Sequence, residues 1–311
     1  MKLPVALGAL VVTCAMSAGG AAEANAKPAG APQLREVFRF GAGSGLFARP
    51  GVGQHGDVYV GSGDGYVHAL WPDGSYRWSY TVKGRVVAPP VEEPATRRAF
   101  VITSEARLYA LEPDARLRWV FPLPVAPKSE MTLTPKGMLL FVGQDDHLYG
   151  VTTSGALALR LASPGARSAP VVLGDGKAAL VLNDQLATLK GYGFERTPLS
   201  GPLSAAPWLD LAADRAVFAC ESGKARVFGS AGALLDVSSD CLAPPVRGDG
   251  FFAVAESKGD VRLFYAAGGT ATVSLGSSPL RPLWDAPRRR LILSSVAGAI
   301  SVFEVLPEPA L

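Results

Sequence analysis

The stretch that decides the fold lies at residues 59–70 and reads Tyr-Val-Gly-Ser-Gly-Asp-Gly-Tyr-Val-His-Ala-Leu. Two short apolar segments, rich in β-branched and aromatic residues, flank a glycine-rich centre, which is typical of two strands joined by a tight turn. A Pro-Asp-Gly turn follows at residues 72–74 and leads into another strand that carries Trp78. The pattern predicts a unit of consecutive antiparallel strands.

This unit recurs along the whole chain. In the strand after the glycine-rich turn, equivalent apolar residues lie 36 to 41 residues apart: Val67, Leu108, Leu148, Leu186, Val227, Leu263 and Val302. A period of roughly forty residues with several strands per unit is typical of a β-propeller. Upstream in each unit we predict a first strand that contains a proline, from 48–50 in the first unit to 281–283 in the seventh. Because sheets tolerate proline at their edges, this strand is expected to be innermost, beside the central channel.

The seventh unit is incomplete, because the residues after Val305 are too few and too rich in proline for a fourth strand. A strand-like segment, 34–40, is left over before the first unit. An open ring would leave an exposed sheet edge, which favours aggregation. We therefore predict an all-β, seven-bladed propeller of four-stranded antiparallel blades, closed by an N-terminal strand. It forms one domain over residues 34–306, followed by a C-terminal tail at 307–311.

Residues 1–26 are predicted to be a signal peptide, with Lys2 before an apolar run and Ala24-Asn25-Ala26 as the cleavage pattern. A short linker at 27–33 follows. Two alternatives stay open: an uncleaved anchor, and lipid attachment at Cys14, where Thr13 stands in place of the usual small residue. Each of them implies export, so we expect a periplasmic or secreted protein with no membrane span after cleavage.

Composition excludes several classes of partner. With 311 residues, 48% of them hydrophobic, the chain is long enough for a substantial core. Its net charge of +3 is too small to indicate a nucleic-acid partner. The three arginines at 288–290 fall in a turn that holds both basic and acidic residues in other units, so this surface is mixed in sign and does not indicate a nucleic-acid site. Beyond the leader, the only cysteines are Cys220 and Cys241, for which a disulfide and two separate thiols are both compatible with the sequence.

No motif indicates catalysis. The glycine-rich turn at 61–65 leads into a strand, so it is a hairpin turn and not a phosphate loop, which would lead into a helix. His68 and His147 occupy positions that hold tyrosine or arginine in other units, which favours a structural role. The sequence contains no nucleophile elbow and no metal-ligand spacing. We therefore predict no catalytic residue, no metal and no cofactor.

One set of carboxylates recurs in register. It lies three residues before the apolar anchor, in the turn between the second and third strands, and consists of Asp64, Glu105, Asp145 and Asp260. In a propeller these turns emerge on one face, so we expect a partial ring of carboxylates there, with Lys224 and Lys258 as the only cations in these turns. Aspartate is a favoured turn residue, which is the simpler interpretation. The functional hypothesis is that this acidic face, or the mouth of the channel, binds a basic peptide, a cation or a polar glycan.

The segments at 69–78 and 110–119, Ala-Leu-x-x-x-Gly-x-x-x-Trp and Ala-Leu-x-x-x-Ala-x-x-x-Trp, resemble the repeat of the pyrroloquinoline-quinone-like (PQQ-like) propeller family. The resemblance implies that Trp78 and Trp119 pack between neighbouring blades. This family contains large quinoprotein dehydrogenases and non-enzymatic proteins of the cell envelope. Its enzymes have eight blades, adjacent cysteines and a calcium-bound cofactor, whereas this chain has no adjacent cysteines and no evident set of calcium ligands.

The sequence thus favours a monomeric, non-enzymatic scaffold that binds a protein partner in the bacterial cell envelope, in outer-membrane protein assembly or a similar role. The alternative is an enzyme that uses the central channel, either a small quinoprotein dehydrogenase with PQQ and calcium or a carbohydrate-active enzyme.

Overall fold

The computed structural model describes residues 9–11, 33–198, 208–210, 216–221, 224–229, 232–266 and 268–306. Within these ranges the regular structure is β-strand, apart from a 3₁₀ turn at Ala286–Arg288. A short strand, Ala9–Val11, pairs in parallel with Thr270–Ser274. The rest of the predicted signal peptide, Cys14 and the tail at 307–311 lie outside the described residues.

The described strands form seven sheets, which we number as blades 1 to 7 and whose strands we call first to fourth from the inside outward. Blade 1 consists of Gly51–Val52, Val58–Gly61, Tyr66–Leu70 and Tyr76–Thr81. Blade 2 consists of Val91–Glu92, Ala99–Thr103, Arg107–Leu111 and Leu117–Pro122. Blade 3 consists of Thr132–Leu133, Met138–Val142, His147–Thr152 and Leu157–Ala162. Blade 4 consists of Val171–Val172, Ala178–Leu182, Gln185–Lys190 and Gly193–Pro198.

The remaining blades follow the same order. Blade 5 consists of Trp208–Asp210, Ala216–Glu221, Lys224–Gly229 and Gly232–Ser238. Blade 6 consists of Val246–Gly248, Phe251–Ala255, Asp260–Tyr265 and Thr270–Ser274. Blade 7 consists of Leu283–Asp285, Arg290–Ser294, Ala299–Leu306 and, as its fourth strand, Gln33–Gly41.

The strand Gln33–Gly41, which we call the closing strand, joins the two ends of the chain. It pairs antiparallel with Ala299–Leu306, from Gln33 opposite Leu306 to Gly41 opposite Ala299. The predicted fold class is confirmed, including closure of the ring by an N-terminal strand. The blades are four-stranded and antiparallel, except that Ala9–Val11 adds a fifth, parallel strand to blade 6.

The first strands start later than the sequence predicted. In blade 1 the strand begins at Gly51, directly after Pro50, and the same offset recurs in blades 2, 4, 6 and 7. In blade 3 the predicted Pro135 lies in the turn after the strand. The reason is that proline has no amide hydrogen to donate to a ladder. The first strands of blades 1 and 2, 3 and 4, and 6 and 7 contact each other, so they are the innermost strands around the channel.

The core lies between the blades. Tyr59, Trp78 and Tyr109 belong to the apolar cluster between blades 1 and 2. The indole nitrogen of Trp78 donates a hydrogen bond to the carbonyl of Pro113 at 2.9 Å, in blade 2, and that of Trp119 donates to the carbonyl of Thr153 at 3.2 Å, in blade 3. Each tryptophan therefore fastens its own blade to the next.

In blade 7, Phe38 takes the place of this tryptophan. A register shift directly precedes Trp78, Trp119 and Phe38 in their fourth strands. Gly155 approaches the Trp119 ring so closely that an added Cβ would lie 3.1 Å from it, and a Cβ on Gly74 would overlap the ring of Phe38. The closing strand therefore docks on blade 1 as the fourth strands of blades 1 and 2 dock on their neighbours.

A buried ionic group also joins blades 1 and 2. The carboxylate of Asp57, whose side chain is 1% exposed, accepts hydrogen bonds from Arg97 and, at 2.8 Å, from Nη1 of Arg77. The guanidinium of Arg77 also lies over the ring of Trp71, 4.5 Å from its centroid. Because Arg97 comes from blade 2, the pairing holds the two blades together.

Candidate functional site

The antiparallel order of the strands gives the disc two distinct faces. Turns between the second and third strands emerge on one side, together with the connectors that lead into the next blade, and we call this side the rim face. Turns between the first and second strands, and between the third and fourth, emerge on the opposite side, which we call the funnel face.

The four carboxylates singled out by the repeat all lie on the rim face, on four different blades. Asp64 and Glu105 are exposed on blades 1 and 2, and Asp145 lies on blade 3. Asp260 is partly buried on blade 6 and departs from the predicted register: it is the first residue of the third strand, in the position of Tyr66, because the anchor in this unit lies two residues further along its strand than in blade 1. They share a face without forming a cluster. Within the described ranges, no group of three or more His, Cys, Asp or Glu side chains is placed to hold a metal ion.

Asp145 is the most elaborately bonded of the four. Its carboxylate accepts a hydrogen bond from the hydroxyl of Tyr149 at 2.7 Å, and it lies 3.2 Å from Nδ1 of His147 and 3.4 Å from Nη2 of Arg160. Burial raises the pKa of Asp145, but the hydrogen bond from Tyr149 and the neighbouring His147 and Arg160 outweigh it and hold the pKa below its usual value. The group is therefore a carboxylate engaged with donors.

Cations outside the turns balance much of the acidity of the rim face. Asp146 pairs with Lys128, Asp184 lies 3.1 Å from Arg167, and Glu256 lies 3.0 Å from Arg262: the three cations come from connectors and a third strand. Sequence reasoning missed them because it compared only the turns with one another. The rim face is mixed in sign, and its exposed carboxylates stand among cations.

The central channel is divided by an ion pair. A cavity of about 1020 Å³ on the funnel face and one of about 480 Å³ on the rim face are both lined by Glu130 and Ala169. Nη2 and Nε of Arg49, in blade 1, lie 2.8 and 3.2 Å from the carboxylate oxygens of Glu130, in blade 3. Burial raises the pKa of Glu130, but the charges of Arg49 and Arg281 outweigh it and hold the pKa below its usual value.

Sequence reasoning missed this pair, although a signal was available. Arg49 and Glu130 each stand two residues before a first strand, where blade 2 has Pro89 and blade 4 has Ala169. Blade 7 has Arg281 at the same position. Two arginines and a glutamate at a repeat position that holds proline or alanine in other blades would have indicated a contact across the channel.

The other carboxylates that line the funnel-face cavity also have hydrogen-bond or ion-pair partners. Glu92 accepts a hydrogen bond from the hydroxyl of Tyr59 at 2.5 Å and from the amide of Gln54 at 2.9 Å, and Asp285 lies 3.1 Å from Arg288. Calcium takes about six to eight oxygen ligands. The carboxylates of the described part of the channel do not fit a calcium-bound quinone cofactor, because each already holds an arginine, tyrosine or amide donor.

The structure joins Cys220 and Cys241 in a disulfide, with their Cα atoms 5.8 Å apart. The bridge links the second strand of blade 5 to the connector into blade 6, on the rim face. Between blades 1 and 2 the same position holds Gly61 packed closely against Val86. A covalent link thus stands where another pair of blades uses close packing.

The fold and the repeat define a class of protein, the PQQ-like β-propeller. A family model described as "Outer membrane protein assembly factor BamB" matches residues 23–193, more than half of the chain, and the chain belongs to this family. Among solved structures, BamB from Moraxella catarrhalis is similar with a TM-score of 0.58 and 19% identity, covering 85% of this chain and 84% of that chain. This likeness supports the propeller fold.

No curated protein matches the chain. In the part of the chain that the structure describes, no helix has the length and apolarity needed to cross a membrane.

Proposed function

We propose that this protein is a non-enzymatic scaffold of the bacterial cell envelope that holds a protein partner on its rim face, in outer-membrane protein assembly or a similar process. Membership of the BamB family is the observation that carries the proposal. We further propose that residues 1–26 direct export and are removed, and that residues 34–306 act as one monomeric domain in the periplasm or outside the cell.

The surface of blades 1 and 2 supports the choice of the rim face. Phe47 is 52% exposed there, and the guanidinium of Arg85 lies over its ring, 4.8 Å from the centroid. Asp64 and Glu105 are exposed on the same two blades. Aromatic residues and arginine are enriched among the residues that dominate protein interfaces, and exposed carboxylates give such a surface its specificity. The partner suited to this surface is a protein with an apolar anchor and basic side chains.

The test exchanges the four rim carboxylates together for amides: Asp64→Asn, Glu105→Gln, Asp145→Asn and Asp260→Asn. We expect the amount of partner crosslinked in intact envelopes to fall at least about tenfold, because the loss of charge removes complementarity to basic side chains. Crosslinking followed by affinity purification and mass spectrometry measures this amount.

The matched control removes four exposed carboxylates from the funnel face: Asp73→Asn, Asp114→Asn, Asp175→Asn and Asp249→Asn. It should retain the partner. If the rim variant keeps an unchanged melting temperature and still captures every partner at the wild-type level, the rim face is not the docking surface.

A further inference from the structure

His68 lies at the seam between blade 1 and the closing strand. Its ring meets Phe40 of the closing strand edge to face, with centroids 5.4 Å apart, and stacks on Tyr66 of blade 1 at 5.9 Å. Phe40 and Phe38 border the apolar cluster that joins blade 7 to blade 1. The imidazole is therefore part of the packing that closes the ring.

Both ring nitrogens of His68 are buried and make no hydrogen bond. The equivalent residues in blades 2 and 3 are tyrosines whose hydroxyls are satisfied. The hydroxyl of Tyr109 accepts from the amide of Lys83 at 2.9 Å, and that of Tyr149 donates to Asp145 at 2.7 Å. A tyrosine reaches a polar partner at the turn, whereas the shorter imidazole ends among aromatic rings.

We propose that His68 makes closure of the ring sensitive to pH, because a proton gained by its imidazole places a charge inside the seam between blade 1 and the closing strand. A buried charge without a hydrogen-bonded partner opposes burial. Acidification should therefore loosen the closing strand. This device goes beyond the proposed docking function and does not depend on it.

The charges near the seam set the direction of the effect. Burial lowers the pKa of His68, and it outweighs the opposing influence of the Asp64 carboxylate and the Ala42 carbonyl. On the closing strand itself, Arg35 pairs with Glu304 and Arg39 with Glu36. Acid should therefore act on the seam chiefly through the imidazole.

The sign follows from the lowered pKa. The fold favours the neutral ring, so the contribution of His68 to stability is complete above the unfolded pKa of about 6.5 and declines as pH falls toward the folded pKa. Each unit by which the folded pKa lies below that of the unfolded chain reduces the folding equilibrium constant by up to about tenfold.

The first measurement is a histidine-selective NMR titration of the unaltered folded protein, with resonances assigned by single substitution of His55, His68 and His147. We expect His68 to titrate below about 6.5. We also expect the protection factors of the closing-strand amides, the ratio of intrinsic to observed exchange rate at each pH, to fall at acidic pH. A His68 pKa at or above that value overturns the proposal, and this result needs no variant to fold.

The second measurement compares unfolding equilibria between about pH 7.5 and pH 5. His68→Tyr, which restores the residue found in blades 2 and 3, should lose less stability on acidification than the wild type. His55→Gln, which removes an exposed histidine, should follow the wild-type curve. If the curves of the wild type and His68→Tyr remain parallel, or if the protection factors of the closing-strand amides do not change with pH, the proposal is wrong.

Discussion

A chain that begins at Ala42 is expected to lose its cooperative unfolding transition. The truncation removes the whole closing strand, with its eight residue pairs to Ala299–Leu306 and the rings of Phe38 and Phe40. It also exposes the third strand of blade 7 as an unpaired edge.

The size of the effect follows from the packing that is lost. Removing one buried phenylalanine side chain costs about 3–5 kcal/mol, and a domain of ordinary stability has only about 5–15 kcal/mol in total. Two partly buried rings and a complete ladder therefore account for most of the available stability. Calorimetry and near-ultraviolet circular dichroism measure the loss.

A chain that begins at Gln33 is the control, since it keeps the closing strand and should melt as a chain that begins at Lys27 does. Equal melting temperatures for the chains that begin at Gln33 and Ala42 would mean that the ring does not need this strand.

Asp57→Asn is expected to lower the free energy of unfolding by about 3 kcal/mol. The substitution keeps the shape of the side chain but leaves Arg77, whose side chain is 9% exposed, without its anionic partner. Removing one member of a buried ion pair typically costs about 3–5 kcal/mol. We take the lower part of this range because Arg97, the second partner, is 30% exposed and gains water when the carboxylate is lost. Denaturant titration measures the change.

Asp114→Asn is the matched control, because Asp114 and Arg116 form an ion pair whose side chains are 56% and 79% exposed. It should leave stability unchanged, since solvent screens such pairs. Equal effects of the two substitutions would show that the group around Asp57 does not join blades 1 and 2.

Much of the fold could be predicted because the same pattern of apolar residues and turns recurs in seven units. The apolar anchors and the tight turns fix the strands of each blade, and the unpaired segment at 34–40 fixes how the ring closes. The sequence did not show that Phe38 replaces the docking tryptophan. The Ala-Leu-x-x-x-Gly/Ala-x-x-x-Trp motif that ends at Trp78 and at Trp119 is absent around Phe38. Only the position of Phe38 after a register shift, against Gly74, reveals its role.

The candidate site was harder to predict, because its balance of charges depends on contacts between segments far apart in sequence. Arg49 and Glu130 are 81 residues apart, yet they meet across the channel. Asp146 is balanced by Lys128 from a connector that the turn alignment did not include. The positions of Asp64, Glu105 and Asp145 followed from the repeat, whereas Asp260 lies two residues out of that register, at the start of its strand. The cations around them followed only from the packing of blades and connectors.

The central claim, that the closing strand completes blade 7 in a defined register, is tested most directly by a pair of cysteines. Arg35 and Glu304 lie opposite each other, and opposite residues in antiparallel strands have Cα atoms about 4.5–5.5 Å apart, within the range for a disulfide. Arg35→Cys with Glu304→Cys, in a chain that begins at Lys27, should therefore form a crosslink under mild oxidation, detected by mass spectrometry of the linked peptides. Arg39→Cys with Glu304→Cys should not, because Arg39 lies opposite Ser301 and more than about 10 Å from Glu304. Absence of the first crosslink, or equal formation of both, would contradict the closure of the ring described here.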